Sequence, residues 1–170
     1  AYRADLFRYC ALYTEGGVYM DSDQLLLRPL EDAVSMCGGA SIGYDIPQYP
    51  IDAKPEDTKV PGMQMKLLAG EPGHPLFGCM LENIVQHVRM RHISRYPLNL
   101  TGPTLLATCY ARHVGRGDIS ITYRDTRPAR WPYSGMMGAK GLVTFEVPSR
   151  SHFSELGSQT ANSASEFHYH

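Results

Sequence analysis

The sequence predicts a single α/β domain, and three observations carry that prediction. The run from Ala4 to Asp23 reads as a short helix, a glycine stop, a short strand and two carboxylates. Farther along, Phe77, Met80, Leu81, Ile84, Val85 and Val88 recur at helical spacing. Near the end, Ile119 to Tyr123 and Leu142 to Val147 cluster as strands. With 170 residues, 43% of them hydrophobic and 19% charged, the chain has the length and balance of one globular domain with a sizeable core.

Each element has a local cause. From Arg3 to Tyr13 good helix formers dominate, and Leu6, Cys10 and Tyr13 fall on one face, which is expected to pack on the body. Asp5 and Arg8 stand one turn apart on a different stripe. Gly16-Gly17 stops the helix, since glycine takes the left-handed cap at little steric cost. Val18-Tyr19-Met20 follows as a short buried strand, and Gln24 to Leu30 reads as a second strand ended by Pro29. Cys37 to Tyr44 is a Gly-flanked strand candidate, and 45–62, rich in Pro, Asp and Lys, is expected as a long surface loop. Gln64 to Ala69 reads as a strand or the sheet edge. Gly73-His74-Pro75 opens the helix that carries the 77–88 stripe, with proline at its first position. His87 and His92 stand among Arg89, Arg91 and Arg95, where a basic C-terminal turn explains them better than a metal does. Thr101-Gly102-Pro103 turns into a helix through Leu105, Leu106, Cys109 and Tyr110. A loop at 127–133 offers Trp131 as a core residue or an acceptor-sugar platform. The serine-rich stretch within 149–170 is expected as a flexible tail or lid.

Charge and cysteine usage narrow the function classes. A net charge of −1 without a basic stripe argues against nucleic acid as a partner. No apolar run reaches membrane-spanning length, and no signal peptide is visible. Cys10, Cys37, Cys79 and Cys109 are widely spaced with no CxxC, which disfavours zinc. Disulfides and buried free thiols both fit them.

The chemistry concentrates at Asp21-Ser22-Asp23. Carboxylates at i and i+2 of an extended chain point the same way, so a positive charge is needed between them. Oxygen-only ligands favour Mg²⁺, Mn²⁺ or Ca²⁺ over zinc, and an ion with few protein ligands keeps positions open for a diphosphate. Such an ion acts as Lewis acid and template for a departing nucleoside diphosphate, and Arg8 and Asp5 reach the same pocket from the helix.

The run A-D-L-F-R-Y-C-A-L-Y-T-E-G-G-V-Y-M-D-S-D-Q-L-L-L-R-P-L resembles the core signature of glycosyltransferase family 32, the sugar-binding region containing a DxD motif. That family includes initiating α-1,6-mannosyltransferases and sphingolipid mannosyltransferases, with clostridial glucosylating toxins as distant relatives. Gln64 to Pro75 looks like the family's Q-x-x-x-x-A-x-x-P-G-H-P segment, and Thr101-Gly102-Pro103 like its TGP turn, so the resemblance spans roughly Ala4 to Tyr110. It implies a GT-A-type, Rossmann-like fold with a mixed sheet flanked by helices, N-terminally truncated here. It further implies a metal-dependent, retaining hexosyltransferase. Carried over position by position, it makes Asp21, Asp23 and Arg8 catalytic. Asp5, Arg8, Tyr19, Asp21, Gln64, His74, Thr101 and Gly102 bind the donor, and Asp23, Asp21 and His168 hold Mn²⁺ or Mg²⁺. The implied donor is GDP-mannose or a UDP-hexose, and the acceptor a glycan or glycolipid. The expected location is the Golgi or secretory-pathway lumen in a eukaryote, with a membrane anchor outside the fragment, and otherwise the cytoplasm.

Two rivals stand beside this reading. In haloacid-dehalogenase-like phosphatases the first Asp of a DxD is the nucleophile, but Thr or Val follows there and Gln24 follows here. A non-catalytic nucleotide-sugar or carbohydrate-binding domain of the same fold also satisfies the motif. The plainest alternative is a solvated turn after a strand.

Overall fold

The computed structural model describes residues 2–35, 38–48, 60–94, 99–126 and 135–146. Three helices, α1 (Tyr2–Thr14), α2 (Pro75–Arg89) and α3 (Pro103–His113), lie on a seven-stranded mixed sheet. The strands are β1 (Gly17–Met20), β2 (Gln24–Leu26), β3 (Ala40–Gln48), β4 (Val60–Gly70), β5 (Ile119–Thr126), β6 (Gly135–Gly138) and β7 (Gly141–Glu146). Their order is β1-β4-β3-β5-β6-β7-β2, antiparallel except for the parallel pair β3/β5. The mixed sheet flanked by helices agrees with the expected GT-A-like architecture.

Two strands adjacent in sequence therefore occupy opposite edges of the sheet. Only residues 21–23 join β1 to β2, which demands that the sheet curl until its two edges meet within one turn. A register shift between Ser41 and Gly43 contributes to that curl. Here the absence of a side chain matters: Tyr123 of β5 lies over Gly43, where a Cβ would enter its ring, and its hydroxyl reaches across β3 to the Leu67 carbonyl of β4.

The main core forms between sheet and helices from Tyr9, Leu12, Leu76, Phe77, Met80, Ile84, Leu105 and Leu106 against Ile42, Met63 and Leu68. A smaller cluster gathers Leu67, Ala69, Tyr123, Ala33 and Val34, the last two following a 3-10 turn at Leu30–Asp32. Cys79 of α2 and Cys109 of α3 form a disulfide, while Cys10 is an exposed thiol. Of the two readings left open for the cysteines, pairing holds for this one; Cys37 lies outside the described residues.

Several expectations need correcting. The face of α1 turned inward is Arg8, Tyr9 and Leu12, whereas Leu6, Cys10 and Tyr13 are exposed. The inward stripe carries a guanidinium that finds charged and carbonyl partners, so counting apolar residues alone selects the wrong side. β1 is half-buried because it is an edge strand. β4 is interior, paired on both sides, rather than at the edge. The second strand stops at Leu26 instead of reaching Leu30. β3 begins at Ala40, and β3 and β4 extend into both ends of the expected 45–62 loop, whose remainder, 49–59, lies outside the described residues. On α2, Val85 and Val88 are exposed. Trp131 and the 149–170 segment also fall outside the described residues.

Candidate functional site

The site is built where the curled sheet closes. Two residues past the end of α1 stands Gly16, whose backbone has φ +68° and where a Cβ would lie 2.6 Å from Pro72 Cδ and 2.8 Å from the Gly70 carbonyl oxygen, so glycine alone fits. The chain then reverses into β1, which carries Tyr19 back alongside the inward stripe of α1.

Arg8 is the hub. It is 7% exposed, and its Nη1 donates to the Met65 carbonyl at 2.6 Å. Nη2 lies 3.2 Å from Asp5 Oδ1, Nη1 lies 3.5 Å from Asp21 Oδ1, and the guanidinium sits 4.5 Å over the Tyr19 ring. Tyr19 in turn donates its hydroxyl to Asp21 Oδ1 at 2.7 Å. From the other side, Thr101 Oγ1 donates to Asp5 Oδ2 at 2.6 Å, and Tyr9 donates to the Thr101 carbonyl at 3.0 Å. Residues from α1, β1, the 21–23 turn, β4 and the turn before α3 thus share one hydrogen-bonded network.

The two motif carboxylates are held differently. The Asp21 backbone N–H still pairs with the Lys66 carbonyl (2.8 Å), but Gln24 N then donates back to the Asp21 carbonyl (3.1 Å), so residues 21–23 form a turn. The extended i, i+2 geometry expected from sequence is corrected here, because the chain must step from one sheet edge to the other. Asp23 Oδ1 accepts from Gln24 Nε2 (3.0 Å), and Gln24 is itself fixed by Thr144 Oγ1 of β7 (3.1 Å).

Electrostatics follow from burial. Desolvation raises the Asp21 carboxyl above its ordinary value; the Tyr19 hydroxyl, Arg8 and Lys66 oppose the rise, and the Asp23 charge adds to it. Tyr19 is pushed up to about 12, first by burial and then by its bond to Asp21. Complete burial and the nearby Asp5 charge raise Tyr9 as well. These tyrosines are hydrogen-bond donors at neutral pH.

The donor set suits a hard divalent ion. The bonds described engage Oδ1 of each motif carboxylate and leave Oδ2 as a ligand atom, and hard oxygens favour Mg²⁺ or Mn²⁺. Among the described residues no group of three or more His, Cys, Asp or Glu could hold a metal. An ion here would take its other ligands from water and a diphosphate, the usual situation for Mg²⁺.

Not every predicted residue joins this network. Gln64 is buried, its Oε1 accepting from Met65 N and Lys66 N. His74 caps α2, its Nδ1 accepting from Leu76 N (3.2 Å) while Nε2 faces Asp118 Oδ2 at 3.6 Å. The Gly102 carbonyl accepts from Leu106 N at the start of α3. His168 lies outside the described residues. Conversely, sequence reasoning passed over Tyr9, Met65 and Lys66. Lys66 stands two residues after Gln64, and that adjacency was the available signal; Met65 acts through its carbonyl, which no side-chain pattern reveals.

Residues 1–40 match the family model described as "Glycosyltransferase sugar-binding region containing DXD motif". A search of curated proteins finds no match. Among solved structures, the chain is similar to "PaToxG Glycosyltransferase" with 18% identity and a TM-score of 0.46, over 66% of this chain and 34% of that one. The chain thus spans about a third of the length of that structure. Asp5, Arg8, Tyr19, Asp21 and Asp23 all lie inside the segment that is similar to this DXD-containing region.

Proposed function

We propose that this chain belongs to a retaining, metal-dependent hexosyltransferase that moves mannose from GDP-mannose to a hydroxyl of a glycan or glycolipid. The observation that supports the reading is the convergence of Arg8, Asp5, Tyr19 and Asp21 around one turn. Arg8, fixed at its Nη1 by the Met65 carbonyl, presents positive charge where a diphosphate would leave. Asp5, oriented by Thr101 from one side and Arg8 from the other, is a rigid acceptor for sugar hydroxyls. Asp21 and Asp23 would hold Mn²⁺ or Mg²⁺, which supplies Lewis-acid stabilisation of the leaving diphosphate.

The acceptor hydroxyl attacks the anomeric carbon on the face the diphosphate leaves. The new glycosidic bond forms as the bond to the phosphate oxygen breaks, and that oxygen takes the hydroxyl proton. No separate base is required, and positioning and electrostatic stabilisation carry the rate. The Cys79–Cys109 disulfide supports an oxidising location, the secretory-pathway lumen in a eukaryote.

Calorimetric titration of GDP-mannose and UDP-hexoses, with and without Mn²⁺, tests the reading against an Asp23→Ala control. Metal-dependent binding of GDP-mannose, lost in the variant, is expected. Binding of a UDP-hexose alone would replace the donor, and an inverted product would overturn the mechanism.

A further inference from the structure

The end of α2 carries apolar side chains that the core does not take. Val88 is 73% exposed, Met90 77% and Ile93 91%, and exposed Arg89 and Arg91 alternate with them. A helix C-terminus favours the arginines through its dipole. It gives no reason for the apolar residues between them. Arg91 takes φ +49°, and His92 N returns to the His87 carbonyl at 2.9 Å, so the end of the helix is a closed turn that holds these residues together.

Gly73 N donates to the Tyr13 carbonyl, and the Tyr13 ring lies against Gly78, so α1 packs beside the start of α2 and leaves this far end of α2 exposed. Within α2 the one acid is Glu82, about two turns before Arg89, so it does not neutralise the charge at the helix end.

A second copy of the chain would set arginine against arginine. An acidic surface is the complement, and apolar side chains interleaved with guanidinium groups match the boundary between lipid headgroups and acyl chains. We infer that this face docks on a bilayer containing anionic phospholipid. Val88, Met90 and Ile93 enter the acyl boundary while Arg89 and Arg91 pair with lipid phosphates. The inference is independent of the transferase reading.

Co-sedimentation of the 170-residue chain with phosphatidylcholine vesicles, with and without phosphatidylserine, tests it. Sedimentation with the phosphatidylserine vesicles alone is expected, weakening as salt is raised. The double variants Arg89→Glu/Arg91→Glu and Met90→Ser/Ile93→Ser, both at exposed positions, are each expected to bind about tenfold more weakly or worse. Circular dichroism of each variant checks that the fold is kept. Absence of wild-type binding, or binding indifferent to salt, overturns the inference without any variant. Loss in the charge variant with the serine variant unaffected also overturns it, since that pattern belongs to an acidic protein partner rather than a membrane.

Discussion

Replacing Arg8 with alanine is the sharpest perturbation of the site. The side chain is buried and touches four groups: the Met65 carbonyl, Asp5, Asp21 and the Tyr19 ring. Its loss leaves two carboxylates without their shared cation and a strand carbonyl without its side-chain donor. Removing one partner of a buried ion pair costs about 3–5 kcal/mol. Because the Asp5 and Asp21 side chains are 13% and 27% exposed, water screens part of that, and the lower end, about 3 kcal/mol, is expected. For a chain of this length the unfolding midpoint then falls by about 6–12 °C. Arg8→Lys retains the charge but not the planar fork that reaches Met65 and Asp5 together, and is expected to cost about 1 kcal/mol. Thermal unfolding followed by circular dichroism reads both variants. If the alanine variant lies within about 0.5 kcal/mol of the parent, or if lysine costs as much as alanine, Arg8 is not the electrostatic hub described.

Asp21→Asn is expected to stabilise the fold at neutral pH while abolishing metal-dependent donor binding. A carboxyl raised by burial binds its proton more tightly folded than unfolded, so the parent loses stability as pH rises from the ordinary 3.8 through the raised value; the two midpoints must converge in acid, and a pH-independent gap would contradict this. Thr101→Val removes the 2.6 Å bond to Asp5 and is expected to cost about 1.5–3 kcal/mol in urea denaturation, with weaker donor affinity; unchanged affinity would remove Asp5 from the donor's contacts. Reducing the Cys79–Cys109 bridge, whose cysteines are 30 residues apart, is expected to cost about 3–4 kcal/mol, read as a midpoint shift that the Cys79→Ser/Cys109→Ser variant reproduces.

What could be read from the sequence was local. The glycine stop at Gly16, the proline start of α2 and the TGP entry to α3 are set by backbone sterics within a few residues, and each stands where expected. Asp5 and Arg8 were also placed on a common stripe, because helical spacing fixes it. The inward face of α1 was misjudged, since burial of Arg8 depends on the Met65 carbonyl 57 residues away. Likewise, nothing within Gln64 to Ala69 says that β4 will have a neighbour on both sides; that follows from where β1 and β3 arrive. The shape of the motif turn belongs to the same class, because it is dictated by the pairing of β2 with β7 more than a hundred residues later.

That pairing gives the three residues between β1 and β2 an unusual position. They are the clasp of a band: three residues carry the chain from one edge of the sheet to the other, and both carboxylates sit on that clasp. An ion held by both carboxylates would stiffen that clasp, and the expected readout is slower amide exchange in β1 and β2 when Mn²⁺ is added.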